Sequence, residues 1–478
     1  MAATVDLVIR DGLVVGPDGA AQTSIAIQGE TIVAVGAAES MPPSRVTIDA
    51  RGHHVLPGAI DSHVHFREPG YTHKENWASG TAGAAMGGVT TVFEMPNTRP
   101  PTGTVAALKI KQKAAAAQAH VDYGIYGLLD ENNIDVLVDL IAGGVAGFKC
   151  FMGNTFGDLP APSDGAMLEG FEIIAKHGMR CVVHAENPSI MARRQGKMEA
   201  AGRTDVHAHL AARPEICEIE AVGRAIVFAE WTGARLHIAH KSSGDALYIV
   251  KAAKARGVDV TVETCPQYLL LDTNDVDRLG SVLRVNPPIR APGHGDALWQ
   301  ALKDGTVDMI STDHAPHRPE EKTRPSIWDC DCGFPGVETQ MPLMLTEINR
   351  GRASISDYVR WSAVNPAKAW GLYPRKGAIE IGSDADIVIV DMNRTGTIDQ
   401  ADLQSLSKIS PWHRRPYRGR PITTLVRGRI VVQDGVFVGK QGWGKPVVQS
   451  MPRPSPRNLD KTTEAILKRQ GAPVPVGQ

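Results

Sequence analysis

Cysteine is scarce in this chain, six among 478 residues, which excludes a disulfide framework and implies reduced, mostly buried thiols. An excess of charge of one sign is missing too. Fifty-one Lys and Arg against 52 Asp and Glu leave a formal net charge of −1 at pH 7. A balance of that kind favours neither nucleic acid nor an anionic membrane as partner. No uninterrupted apolar run reaches the ~20 residues that span a bilayer. The opening residues, MAATVDLVIRDG, lack a basic region followed by a long apolar stretch, so they do not read as a secretory leader. No repeat period links one part of the chain to another. The expectation is a cytoplasmic enzyme of ordinary globular composition, 42% hydrophobic and 22% charged.

Glycine (48) and proline (32) are plentiful, as many short elements joined by tight turns require. The length suits a barrel of roughly 200–400 residues with additions. Between residues 4 and 56 apolar and polar positions alternate, in VDLVIRDGLVV and SIAIQGETIVAVG, with turn signals at DG and GE. The same writing returns in GSDADIVIVDM and ITTLVRGRIVVQDGVFV. Residues 1–56 and 378–440 are therefore expected to form one small β-sandwich domain assembled from both chain ends. Between them lie the apolar runs HVLPGAIDSHVHF, GVTTVFEMP, VDYGIYGLL, VAGFKCFM, RCVVHAEN, ARLHIAHKSS, DVTVETCP and VDMISTDHAPH. They alternate with helix-like stretches such as VAALKIKQKAAAAQAH and EIEAVGRAIVFAEW. Eight strands alternating with helices predict an α/β fold, a (β/α)8 TIM barrel, over residues 57–377. Residues 441–478 form a Pro-rich tail, either disordered or an arm that packs on a neighbouring subunit.

Nearly every run ends in a chemically capable residue: His63 and His65, Asn97, Lys149, His184, His240, Asp313 and His317. In a parallel barrel the C-terminal strand ends share one rim, so residues spread over the middle of the chain become candidates for one pocket. His63 and His65 stand at i and i+2 of a strand and point to the same side, where two imidazoles make a chelate for a divalent metal. His184 and His240 follow apolar runs in the same way. His237 competes with His240 but falls on the other strand face and deeper, while histidines 53, 54, 73, 120, 177, 207, 209, 294 and 413 read as surface residues. Lys149 is unusual, because a charged lysine at a buried strand end costs several kcal/mol unless paired. A neutral ε-amine there can add carbon dioxide, giving a carbamate able to bridge two metals. Asp313 follows VDMIST directly, where a carboxylate can bind metal and shuttle a proton. Cys330 and Cys332, in WDCDCGF, read as loop thiols.

GAIDSHVHFREPG, GGVTTVFEMPNTRPPT, GFKCFMGNTF, VVHAEN, NPPIR, STDHAPH and NPAKAWGL together resemble the amidohydrolase superfamily, within it the dihydroorotase, hydantoinase and allantoinase group. The resemblance covers residues 4–440 and implies a zinc-dependent cyclic amidohydrolase. It implies two Zn2+ per chain: His63 and His65 on the more buried ion, His184 and His240 on the other, carbamylated Lys149 bridging both. Asp313 would bind the buried ion and act as the acid and base. The motifs are nearest to dihydroorotases, in which residues matching Arg67 and Asn97 hold the substrate's ring carboxylate and residues matching Asn286 and His317 also touch substrate. The resemblance therefore implies dihydroorotate as substrate and a place in pyrimidine biosynthesis, with hydantoinase, dihydropyrimidinase or allantoinase activity as the alternative. It further implies a homo-oligomer (dimer or tetramer) and, for a dihydroorotase, an aspartate transcarbamoylase partner. Two stretches depart from the dihydroorotase pattern. Lys149 stands where many bacterial members have aspartate, and RPEEKTRPSIWDCDCGFPGVET has unusual wording for a loop expected to line the substrate.

Overall fold

The computed structural model describes residues 4–450 except 154, 156–158 and 160. Eight parallel strands form the centre: β1 (Ala59–Val64), β2 (Val89–Glu94), β3 (Asp122–Leu129), β4 (Gly147–Phe151), β5 (Arg180–His184), β6 (Arg235–Ile238), β7 (Val260–Thr264) and β8 (Met309–Ile310). Each pairs with the next in sequence, as right-handed crossovers through helices demand. The ring closes just past β8, where Val64 bridges His314 in parallel and the His65 amide donates to the His314 carbonyl at 2.7 Å. Each of the eight apolar runs supplies one strand. The first run is divided at Gly58: His54–Pro57 belongs to the end sheet and only Ala59–Val64 to the barrel. A Cβ at position 58 would collide with the Thr90 side chain, so the chain can change sheets there only as glycine.

Both faces of the barrel strands are buried, which is why their sequences read as near-continuous apolar runs rather than alternating ones. Ile60, Phe93, Tyr126, Val182, Met309 and Trp370 fill the barrel floor. The outer helices include Trp77–Met86, started by an Asn76/Ser79 capping box, and Val105–Gln118. Glu215–Thr232 ends at Gly233 in the left-handed conformation.

The two chain ends build a separate, mostly antiparallel nine-stranded sheet. Its centre pairs Val5–Gly16 with His54–Pro57, and that strand in turn with Ile387–Thr397. The connection from Ile387–Thr397 to Pro416–Val426 leaves this sheet and reaches the C-terminal rim of the barrel. There Ser407 Oγ donates to the His317 carbonyl at 2.5 Å, Gln404 N donates to Glu338 Oε2 at 2.8 Å, and Ser405 Oγ donates to Glu75. At the opposite end the chain from Trp443 to Ser450 lies across the barrel floor, with Tyr123 N bonded to Lys445 O at 3.0 Å and Ser450 N to Gly371 O at 2.9 Å. The rest of the Pro-rich tail lies outside the described residues. No helix among those described is long and apolar enough to cross a membrane. All six cysteines are unpaired, and five are buried.

Candidate metal centre

The strand order delivers His63 from β1 and His65 from just beyond it, Lys149 from β4, His184 from β5, His240 from just beyond β6 and Asp313 from just beyond β8. His63 Nε2 and His65 Nε2 lie 3.3 and 3.2 Å from one oxygen of Asp313, and ligand atoms of the three residues fall within 4.8 Å of one another. The cluster could hold a metal ion. Each imidazole is aimed by its other nitrogen. His63 Nδ1 donates to Glu263 Oε1 at 2.5 Å and His65 Nδ1 donates to Asn97 Oδ1 at 2.7 Å. Both Nε2 lone pairs therefore face Asp313, as ligand histidines require.

His240 connects this cluster to the other side of the pocket. Its ring lies 5.2 Å from that of His63, and its Nε2 is 2.9 Å from His184 Nδ1. His184 Nε2 donates to Glu186 Oε2 at 2.8 Å, and Glu186 is paired with Arg213. Burial alone would raise the Glu186 pKa, but Arg213 and His184 together bring it down to about 2. Asn286, oriented as its neighbours require, donates to His209 Nε2 at 2.9 Å and accepts from Arg213 at 3.3 Å, which joins it to the His184 side. His120 and His209, expected at the surface, are in fact buried.

Backbone conformation at the strand ends explains a further difference. His240 has φ 35 and Asp313 has φ 50, so both turn into the left-handed region directly after their strands. Counting alternate faces from β6 therefore does not reach His240. His237 also faces the interior, below the pocket, where its Nε2 lies 3.1 Å from Glu263.

Burial favours the neutral form of the imidazoles at His65, His184 and His240. Burial pushes His65 down to about 3 and His240 well below the usual histidine range. Burial would raise Asp313, yet the surrounding His63, His65 and His240 hold it well below the ordinary carboxylate range. Lys149 is completely buried, and its Nζ has no hydrogen-bond partner among the described residues. Burial lowers its pKa to about 8, within electrostatic reach of Asp313, His184 and His240. An orphaned buried amine beside four histidines and a carboxylate fits a modified lysine in a metal site better than a structural ammonium.

Glu263 went unread in the sequence although it ends the run DVTVET as the other candidates end theirs. It holds His63, reaches His237, and accepts from the backbone amide of His240 at 3.2 Å. Glu263→Gln keeps the shape and removes the charge that fixes the His63 tautomer. Zinc affinity is expected to fall about 10- to 100-fold in a competitive chelator titration. Unchanged affinity would mean that Glu263 serves packing alone.

Residues 54–431 match the amidohydrolase family model. The chain belongs to the amidohydrolase family. Within that family it is 35% identical over 449 residues to an L-hydantoinase of Paenarthrobacter aurescens, covering 93% of this chain and 98% of that one. It is 39% identical over 436 residues to an allantoinase of Rubrobacter xylanophilus, covering 91% and 95%. The solved L-hydantoinase (dihydropyrimidinase) from Arthrobacter aurescens superposes with a TM-score of 0.91 at 35% identity, over 93% of this chain and all of that one.

These relatives overturn the dihydroorotase reading and, with it, the place in pyrimidine biosynthesis. The expectation of an aspartate transcarbamoylase partner rests on that reading alone. A physical reason is visible at the residues that suggested it. Arg67 is buried, its Nε donates to the Pro316 carbonyl at 3.3 Å, and its Nη2 donates to His317 Nε2 at 2.9 Å. Arg67 is thus engaged by Pro316 and His317, and Asn97 by His65, so neither residue type by itself marks a carboxylate-bearing ring.

Proposed function

We propose that this amidohydrolase opens cyclic ureides of the hydantoin class by hydrolysing a ring C–N amide bond. The observation that carries the reading is near end-to-end similarity to proteins named L-hydantoinase and allantoinase. Hydantoin and allantoin share one five-membered ring, and water added across its amide C–N bond leaves a carboxylate and a ureido nitrogen.

In this reading His63, His65 and Asp313, together with His184 and His240, are the residues that would hold two zinc ions. Lys149 would join them once carbamylated, its unprotonated Nζ bonding to the carbon of carbon dioxide with release of a proton, and would supply the site with an anionic ligand. Bound metal supplies a Lewis acid for the ring carbonyl and brings the pKa of water to about 7. The residues of the chain do the rest. Glu263 and Asn97 engage the Nδ1 atoms of His63 and His65 and so orient both Nε2 atoms toward Asp313. Asp313, held as an anion by the histidines around it, accepts the proton of the attacking water at its carboxylate oxygen and returns it to the departing ring nitrogen. Arg67, Asn97, Asn286 and His317 form or brace the wall that the ring meets. The cyclic-amide substrate is a small molecule, and the pocket calls for no macromolecular partner.

A substrate panel tests the reading. Zinc-loaded protein should open hydantoin, a 5-substituted hydantoin or allantoin and leave dihydroorotate intact. Preference for dihydrouracil would move the substrate to six-membered rings. Failure on every cyclic ureide would reject the proposal.

A further inference from the structure

The segment WDCDCGF, set aside as loop thiols, brings Asp331 against His317. His317 is fully buried, and both ring nitrogens meet a donor and an acceptor. Nδ1 lies 3.0 Å from Asp331 Oδ2 and 3.0 Å from Lys74 Nζ. Nε2 lies 2.9 Å from Arg67 Nη2 and 3.0 Å from the Cys332 carbonyl. Burial and the adjacent Arg67 push the pKa of His317 far below its usual range, so the ring is neutral and carries one N–H and one lone pair.

Two tautomers satisfy this ring. With the proton on Nδ1, the ring donates to Asp331 and accepts from Arg67. With the proton on Nε2, it donates to Cys332 O, accepts from Lys74, and no longer accepts from Arg67. We propose that Asp331 selects the first tautomer and so acts as a positioning residue, fixing the Arg67 guanidinium beside the metal pocket. A carboxylate acceptor outcompetes a neutral carbonyl. Lys74 is a weak rival, because its Nζ is already 2.7 Å from Asp331 Oδ2 and 3.2 Å from Glu321 Oε1. The loop keeps the carboxylate in place: Asp331 N donates to Glu321 O at 2.9 Å, and Lys322 Nζ donates to Asp331 O at 3.0 Å. Arg67 itself follows His65 by two residues and lies within electrostatic reach of Asp313. The inference rests on the reading that a cyclic ureide binds beside Arg67.

A double-mutant cycle decides it. Asp331→Asn removes the anionic acceptor and offers Nδ1 an amide donor instead. In otherwise wild-type protein it should raise KM about tenfold or more with kcat within about threefold, and in an Arg67→Ala background it should change kcat/KM less than about twofold. Asp331→Glu, which restores an acceptor, should recover part of the loss. An equal loss in both backgrounds, or none in the wild type, would overturn the proposal. A second readout needs no turnover. In 15N-histidine-labelled protein, with His317 assigned through His317→Gln, the wild-type ring should be protonated on Nδ1 and that of Asp331→Asn on Nε2. An Nε2-protonated ring in the wild type overturns the inference. If the wild type opens no cyclic ureide, the proposed function fails while the NMR result still decides the tautomer.

Discussion

On the two-zinc reading proposed above, Lys149→Ala should abolish ring opening and reduce bound zinc from about two equivalents per chain to one or fewer, because the variant loses the proposed carbamate ligand. The motive is the state of Nζ, completely buried and without a hydrogen-bond partner among the described residues. An ammonium in that position would cost several kcal/mol. A carbamate turns the same atom into part of an anion that two cations can neutralise. Carbamate forms only from the free amine, and burial brings Lys149 down to about 8 rather than the usual 10.5. The ammonium form dominates below that value, so reconstitution of metal-free protein should slow as pH falls below about 8 and quicken with added bicarbonate. Metal analysis and activity recovery check both statements. Two tightly held zinc ions in Lys149→Ala would remove the carbamate ligand from the mechanism.

Asp313→Asn is the second large effect. The substitution keeps the size of the side chain and one acceptor oxygen near His63 and His65, at the 3.3 and 3.2 Å positions, but it removes the basic carboxylate. We expect kcat to fall roughly 10³-fold or more, with KM within about fivefold, because proton transfer fails while the pocket wall remains. Zinc content measured on the same sample separates loss of the base from loss of metal. A variant within about tenfold of wild type, with full metal content, would place proton transfer on another group.

The barrel was legible because all eight strands are buried on both faces, which leaves long apolar runs, and because each run stops at a polar residue. His63, His65, Lys149, His184, His240 and Asp313 could be gathered from that punctuation alone. Groups that aim the ligands were harder to find. Glu263 lies near the end of a run as the others do, but a carboxylate there is read only once His63 is known to stand two strands away around the closed ring. Glu186 and Arg213 pair across 27 residues, and Lys74 and Asp331 across 257, with no local pattern to mark either. Substrate was the least legible feature. Arg67 carries the same letters whether it grips a ring carboxylate or leans on His317, and the choice belongs to a loop that is distant in sequence but follows the neighbouring strand β8.

The connection from the end sheet to the barrel rim bears on how this protein can be divided. Ser407 supports the carbonyl of His317, and Ser405 and Gln404 engage the buried acids Glu75 and Glu338. The connection between two strands of the peripheral sheet thus braces residues at the barrel rim beside the proposed site. Excising residues 57–377 as a stand-alone catalyst would strip that support even if the barrel folded, and recombining this barrel with the end sheet of a homologue would import a foreign wall. Ring preference should then be heritable through either half of the chimera, with the 398–415 connection as the exchangeable cassette.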